Sequence, residues 1–364
     1  MPYLNVATHL DNVPYDRLLQ EKGFGGYPTL AFMDAEGNVI GKPNDRSVAA
    51  FASARDALMV IGEVRRKADA GDKKAAVELL FLEFTLGTID AQALEAGVAE
   101  LADHASREQF AQAKQIGLDG DIYALYVASF QDPESGAASK MLAILDAGKL
   151  PTPGSLACTG FWSILGEHAR ETGDTKLLRR VVKGMRADMA SDTRSMEQAD
   201  GYEETAAGLD KRDALVARQA AGEKKLEAQI LLIEARLDAV QLTAFRERLT
   251  AAMAVATPEE KTELKQADVD LEVKDLMDAY WGGGDRDEIH LRVIALLETN
   301  DPVPSENLEG LLRAPIYYYA RGVTDPAILD KHAATISARY GADSPAQALA
   351  KMFADAAEEL RKAE

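Results

Sequence analysis

A gap-free internal repeat constrains this chain more than any other feature. In the 364-residue sequence, residues 70–190 align with residues 221–341 at a constant offset of 151, with roughly one position in five identical. AGDKKAAVELLFLEFTLG, from Ala70, pairs with AGEKKLEAQILLIEARLD, from Ala221. Lys114-Gln115 match Lys265-Gln266, Asp119 matches Asp270, and Leu125 matches Leu276. The PTP of 151–153 falls on the PVP of 302–304, Ala169-Arg170 on Ala320-Arg321, and Asp174 and Leu178 on Asp325 and Leu329. Chance similarity does not hold one register across paired turn prolines. Repeats of this kind signal stacked helical arrays, in which each unit buries its apolar face against a neighbour.

Helical periodicity supports that reading from about Ala68 onward, where Ala, Leu, Glu and Lys dominate and β-branched runs are few. Leu80, Phe81, Phe84, Trp162, Leu231 and Ile233 are expected in the core. Residues 191–218, polar and acidic, join the copies as a linker or an exposed helix, with a break expected near Gly201 or Gly208. At the C-terminus, Ser344-Pro345 supplies an N-cap and first-turn signal. Ala348, Leu349, Met352 and Phe353 then form the apolar stripe that closes the array.

Charge narrows the function. Sixty acidic against 41 basic residues give a net charge of −19, the wrong sign for neutralising phosphates or docking on anionic lipid. No apolar run reaches the ~18 residues of a membrane helix, and no signal peptide opens the chain. One cysteine, Cys158, excludes an internal disulfide framework and a cysteine zinc cluster.

The first sixty residues read differently. YLNVAT (3–8) suits a strand, Pro14 opens a short helix ending at Gly23, TLAFMD and VIGK flank the turn AEGN as a hairpin, and Ser47 caps a helix over VAAFASARDALMVIGEV. This order, with Gly-Tyr-Pro before the hairpin, resembles the C-terminal part of a thioredoxin domain over about residues 2–61, most closely in GFGGYPTLAFMDAEGNVIGK (23–42). The resemblance implies a cis peptide at Tyr27-Pro28; a trans proline opening an edge strand is the ordinary alternative. It also implies a missing first strand and cysteine-bearing helix. That gap is expected to mark an N-terminally truncated member of the family, with any redox cysteines upstream and export possible for the parent protein.

TGFWSILGEHARETGDTKLLRRVVKGM (159–185) resembles a tetratricopeptide (TPR) hairpin. Trp162, Leu165, Gly166 and Ala169 have the first-helix spacing, and Gly173-Asp174 fall at the inter-helix turn. Leu178 stands where the family prefers a small residue, and Arg313 replaces Trp162 in the second copy, so the resemblance is to TPR-like units rather than regular ones.

Candidate chemistry is sparse. Cys158 at a helix start is a candidate reactive thiol, with a small buried residue as the ordinary reading. The five histidines show no metal spacing, and His9 with Asp11 fits a surface turn. GFGG (23–26) and WGGGDRD (281–287) lack the Gly-Lys-Ser/Thr of a phosphate loop. Tyr317, Tyr318 and Tyr319 are more telling. Successive helical side chains diverge by ~100°, so the three cannot all point inward, and an exposed tyrosine suits an interface.

The expected fold class is α+β, predominantly α: a partial thioredoxin-like segment (1–62), a helical repeat unit (63–190), an acidic linker (191–218) and a second repeat unit (219–364). The expected function is protein or peptide binding without catalytic, cofactor or metal residues, nucleic acid or membrane insertion. The alternative is a thiol–disulfide oxidoreductase whose cysteines lie upstream or involve Cys158.

Overall fold

The computed structural model describes residues 21–22, 24, 30–43, 47–132, 135–305 and 310–363. Among them, a small open sheet of two strands is followed by a long array of helices. Contacts divide the chain into two compact units, Met1–His168 with Lys183–Glu197, and Ala169–Val182 with Gln198–Glu364.

The expected hairpin forms from β1 (Phe32–Met33) and β2 (Val39–Gly41), antiparallel with an irregularity between Phe32 and Met33. Its turn is held by Asp34, whose carboxylate accepts from the Asn38 N–H at 2.7 Å and the Asn38 amide at 3.0 Å. Those bonds hold the Asp34 carboxyl below its ordinary pKa. Phe32 meets Phe51 at 4.7 Å between ring centroids. Gly41 lies so near Leu86 that a Cβ would come within 2.8 Å of Leu86 Cδ2. The hairpin thereby seats on α1 (Val48–Asp69) and α2 (Lys73–Thr85) around Ala54, Ala57 and Leu86. Ser47 caps α1 as expected, its Oγ accepting from the Ala50 N–H. The strand expected at 3–8, the helix after Pro14 and the Tyr27-Pro28 peptide lie outside the described residues.

The first unit continues with α3 (Ala91–Glu100), α4 (Arg107–Gln131) and α5 (Ala137–Asp146). Val77, Leu94, Val98 and Ala113 form the buried centre of α2–α4. Helices α6 (Leu156–Thr172), α7 (Thr175–Asp188) and α8 (Thr193–Ala220) follow. Gly173, at φ +68°, turns the chain between α6 and α7, and the Asp174 carboxylate caps α7 by accepting from the N–H groups of Lys176 and Leu177. The break expected in 191–218 is absent: α8 runs unbroken through Gly201 and Gly208. Gly208 is used for close packing, because a Cβ there would meet Leu237 at 2.9 Å.

The later elements are α9 (Glu227–Arg236), α10 (Leu242–Val255), α11 (Pro258–Trp281) and α12 (Arg286–Thr299). A 3-10 turn (Gly310–Leu312) then leads into α13 (Arg313–Gly322), α14 (Pro326–Arg339) and α15 (Pro345–Ala363). Many of their boundaries sit 151 residues after earlier ones. The starts of α3 and α4 correspond to those of α10 and α11, and α7 corresponds to α14 at both ends. Local chemistry explains the coincidence. Ser106 and Thr257 each close a capping box, with Gln109 and Glu260. Asp174 and Asp325 each cap the helix after the turn, and Gly71 and Gly222 both adopt φ +96°.

The repeated Gln and Asp have a structural task. Gln115 donates to Asp119 Oδ1 (3.1 Å) and to the Leu150 carbonyl (3.0 Å), while Asp119 accepts from the Thr152 N–H. In the second copy Gln266 donates to Asp270 (3.0 Å) and the Val303 carbonyl (2.9 Å), and Asp270 accepts from the Ser305 N–H. Each long helix thus holds the proline loop that comes after the next helix. The cis peptide bond among the described residues is Asp301-Pro302, in the second of these loops.

Trp162 and Leu231 are buried as expected, whereas Leu80, Phe81, Phe84 and Ile233 are partly buried. In α15 the inward stripe is Ala346, Leu349, Ala350, Phe353 and Ala357. Ala348 faces solvent, contrary to expectation, because the helical face that carries Leu349 and Phe353 recurs at three and four residues and passes it by.

Candidate interaction groove

The end of α11, the 3-10 turn, α13 and α15 enclose a groove of about 960 Å³. The tyrosine run decides its character. Tyr317 and Tyr318 are 40% and 54% exposed and line the groove. Their rings meet edge to face at 5.4 Å, and the Arg321 guanidinium lies 4.7 Å from the Tyr317 ring centroid. Tyr319 turns the opposite way, into a cluster with His290 (6.0 Å), His332 (5.8 Å) and Phe353 (6.2 Å).

That inner cluster fixes the rotation of α13. Tyr319 Oη lies 3.4 Å from His332 Nε2, and His332 Nδ1 lies 2.6 Å from Glu298 Oε1. Burial, reinforced by the Glu298 charge, raises the Tyr319 pKa and keeps the phenol protonated. His290 is buried between Tyr319 and Tyr280, its Nε2 without a hydrogen-bond partner, and burial lowers its pKa. With the inner ring held, the two preceding rings must face outward.

The other walls come from distant parts of the sequence. Trp281, the last residue of α11, is 69% exposed and packs edge-on against buried Tyr280 at 5.1 Å. The glycines after it release the chain, and Asp285 caps α12, so WGGGDRD is an inter-helix turn. Leu311, Ala314, Met352 and Ala356 supply the remaining apolar surface. Three carboxylates, Asp278, Asp355 and Glu359, and two guanidiniums, Arg313 and Arg321, complete the lining. Lys351 donates to both Asp355 oxygens at 2.6 and 2.7 Å.

The tyrosines were legible in the sequence; Trp281 and Met352 were not singled out as surface residues. The repeat held a signal for the former. Phe130 stands 151 residues before Trp281, at the end of α4, and is 72% exposed. Both copies keep a large exposed aromatic at this position.

Cys158, by contrast, is fully buried in the first turn of α6, and burial pushes its thiol pKa up, away from the thiolate that exchange chemistry needs. Tyr27 and Pro28 lie outside the described residues. Among the described residues no group of His, Cys, Asp and Glu could hold a metal ion, and no helix is long and apolar enough to cross a membrane. Comparison with protein-family models, curated proteins and solved structures finds no match.

Proposed function

We propose that this chain is a protein–protein interaction module in which a non-catalytic thioredoxin-like segment (1–62) is carried on a duplicated, TPR-like helical array. The observation that carries the reading is the joint exposure of Trp281, Tyr317 and Tyr318 around one apolar floor. Aromatics gathered in this way are the residues that dominate binding energy at protein interfaces. The α6–Gly173–α7 hairpin and its Asp174 cap support the TPR-like part, and the capped turn of the β1–β2 hairpin supports the thioredoxin-like part. The buried Cys158 thiol gives the oxidoreductase alternative no support.

The test compares proteins captured from cell extract by the native chain and by the double variant Trp281→Ala, Tyr318→Ala, at equal thermal stability. A specific partner lost with the double variant, and retained by a Leu291→Ala control, supports the reading. Leu291 is 62% exposed and lies outside the groove lining. Identical capture by all three chains contradicts it.

A further inference from the structure

We infer that the ring cluster beneath the groove is an acid-sensitive latch: charging His290 frees Tyr319 from the core and loosens α13, which carries one wall of the groove. The device is internal to the fold and holds whatever the groove receives.

Two histidines pack on Tyr319 in unlike surroundings. His332 has a partner at each ring nitrogen, Glu298 Oε1 at 2.6 Å from Nδ1 and Tyr319 Oη at 3.4 Å from Nε2. A proton added to His332 meets the Glu298 carboxylate, and Nε2–H can then donate to the phenol oxygen, so this contact tolerates acid. His290 has no such provision. It is 8% exposed, and its Nε2 meets no acceptor.

The groups around His290 come from several elements. From α11 comes Tyr280, whose own hydroxyl is buried without a hydrogen-bond partner, and from α13 comes Tyr319. His332 of α14 and Phe353 of α15 pack on that same Tyr319, so a protonated His332 adds a second positive charge to the cluster. Burial disfavours the charged form of His290; on its own helix Asp287 counters this in part, and Arg286 adds to it. An imidazolium enclosed in this way has neither counterion nor acceptor, and it gains stability only by reaching water.

Which wall yields follows from how each is held. Helices α11 and α15 run for 24 and 19 residues. Helix α13 has ten, and no side chain caps its first turn. A short helix with uncapped N–H groups opens at the least cost. Tyr319 is its inward anchor, so a charged His290 and a seated Tyr319 are alternatives. Ala314, Tyr317, Tyr318 and Arg321 ride on the same helix and line the groove. Loosening α13 therefore dismantles that wall.

Hydrogen exchange of the full chain, read by mass spectrometry at about pH 7.5 and about pH 5.5 and corrected for the intrinsic pH dependence of exchange, tests the latch. If the opened state has the ordinary histidine pKa of about 6.5, opening gains about tenfold for each pH unit below it. Amides of 313–322 should then exchange about tenfold faster at the lower pH, relative to their intrinsic rates, while those of 258–270 in α11 keep theirs. His290→Phe and, independently, His290→Gln should abolish the acceleration, the first keeping a ring and the second a polar group without the charge. Equal protection of α13 at both pH values overturns the inference. So does an equal acceleration of α11 and α13, which is a general loss of stability, and so does an acid response retained by either folded variant, which assigns it to another group.

Discussion

In the first copy α3 and α4 approach closely at glycines, whereas in the second the corresponding α10 and α11 add ion pairs to their apolar core. A Cβ on Gly117 would come within 1.9 Å of Glu95 Oε2, and one on Gly120 within 2.6 Å of the Ala91 Cβ. At the positions of Glu95, Gly117 and Gly120 the second copy has Arg246, Asp268 and Leu271. Arg246 bonds Asp268 and Glu272, each at 2.6 Å, and Arg292 bonds Glu272 at 2.7 Å. A second pair of positions differs in the same sense. Trp162 is buried over Gly184 and donates to Asp188 at 3.1 Å, while its counterpart Arg313 is exposed and Gly184 is replaced by Thr335. One backbone plan uses close glycine contacts in one copy and larger side chains with ion pairs in the other. In the second copy α13 is instead held by Tyr319, and Tyr317 and Tyr318 face the groove.

The largest expected contrast is at that indole. Trp162→Ala should cost about 3–5 kcal/mol by opening a core cavity, read as a lower urea midpoint, while Arg313→Ala should stay within about 0.5 kcal/mol. Equal losses would break the comparison. Next is Gly184→Thr, which imports the second copy's residue. A Cβ there would lie 2.2 Å from Trp162 Cζ2, and overpacking of this kind costs about 1–3 kcal/mol. In the Trp162→Ala background the same change should cost clearly less, so additive losses would refute the contact.

Glu272→Gln should cost about 1–3 kcal/mol, because it leaves Arg246 and Arg292 without their shared carboxylate. Its counterpart Asp121 is exposed, and Asp121→Asn should stay within about 0.5 kcal/mol. Burial alone would raise the Glu272 pKa, but the bonds from Arg292 and Arg246 outweigh it and hold it below its ordinary value. The stabilisation is then complete above the unfolded carboxylate range and lost as pH falls through the lower folded value.

The smallest effect concerns His290, whose counterpart in the first copy is Ser139. Burial lowers the His290 pKa below 6.5, so the unfolded chain binds its proton first as the solution is acidified. Stability should be full above about pH 6.5 and decline below it. His290→Phe should flatten the decline in that window, and an unchanged slope would remove His290 as its source.

What the sequence made legible was local. Capping residues, turn glycines and the paired Gln115–Asp119 and Gln266–Asp270 act within one helix or loop, so their spacing survives in a linear reading. The β1–β2 turn was readable for the same reason. The groove was only partly readable: the divergence of consecutive tyrosines follows from helix geometry, but which ring turns inward depends on His290, His332 and Phe353, which come from three other helices. Trp281 was not legible as a groove residue because nothing nearby in sequence says that α13 and α15 pass beside it. The continuity of α8 was obscured by Gly201 and Gly208, which weaken helix propensity, while the packing of Leu237 on Gly208 is a tertiary contact.

Site-specific photo-crosslinking tests the central claim most directly. A photoreactive amino acid is placed at Tyr318 in one chain and at Leu291 in another, the latter equally accessible but outside the groove. A discrete partner crosslinked from position 318 and absent from position 291 is the predicted result. The same products from both positions, or none from 318, would contradict the groove's role as the docking surface.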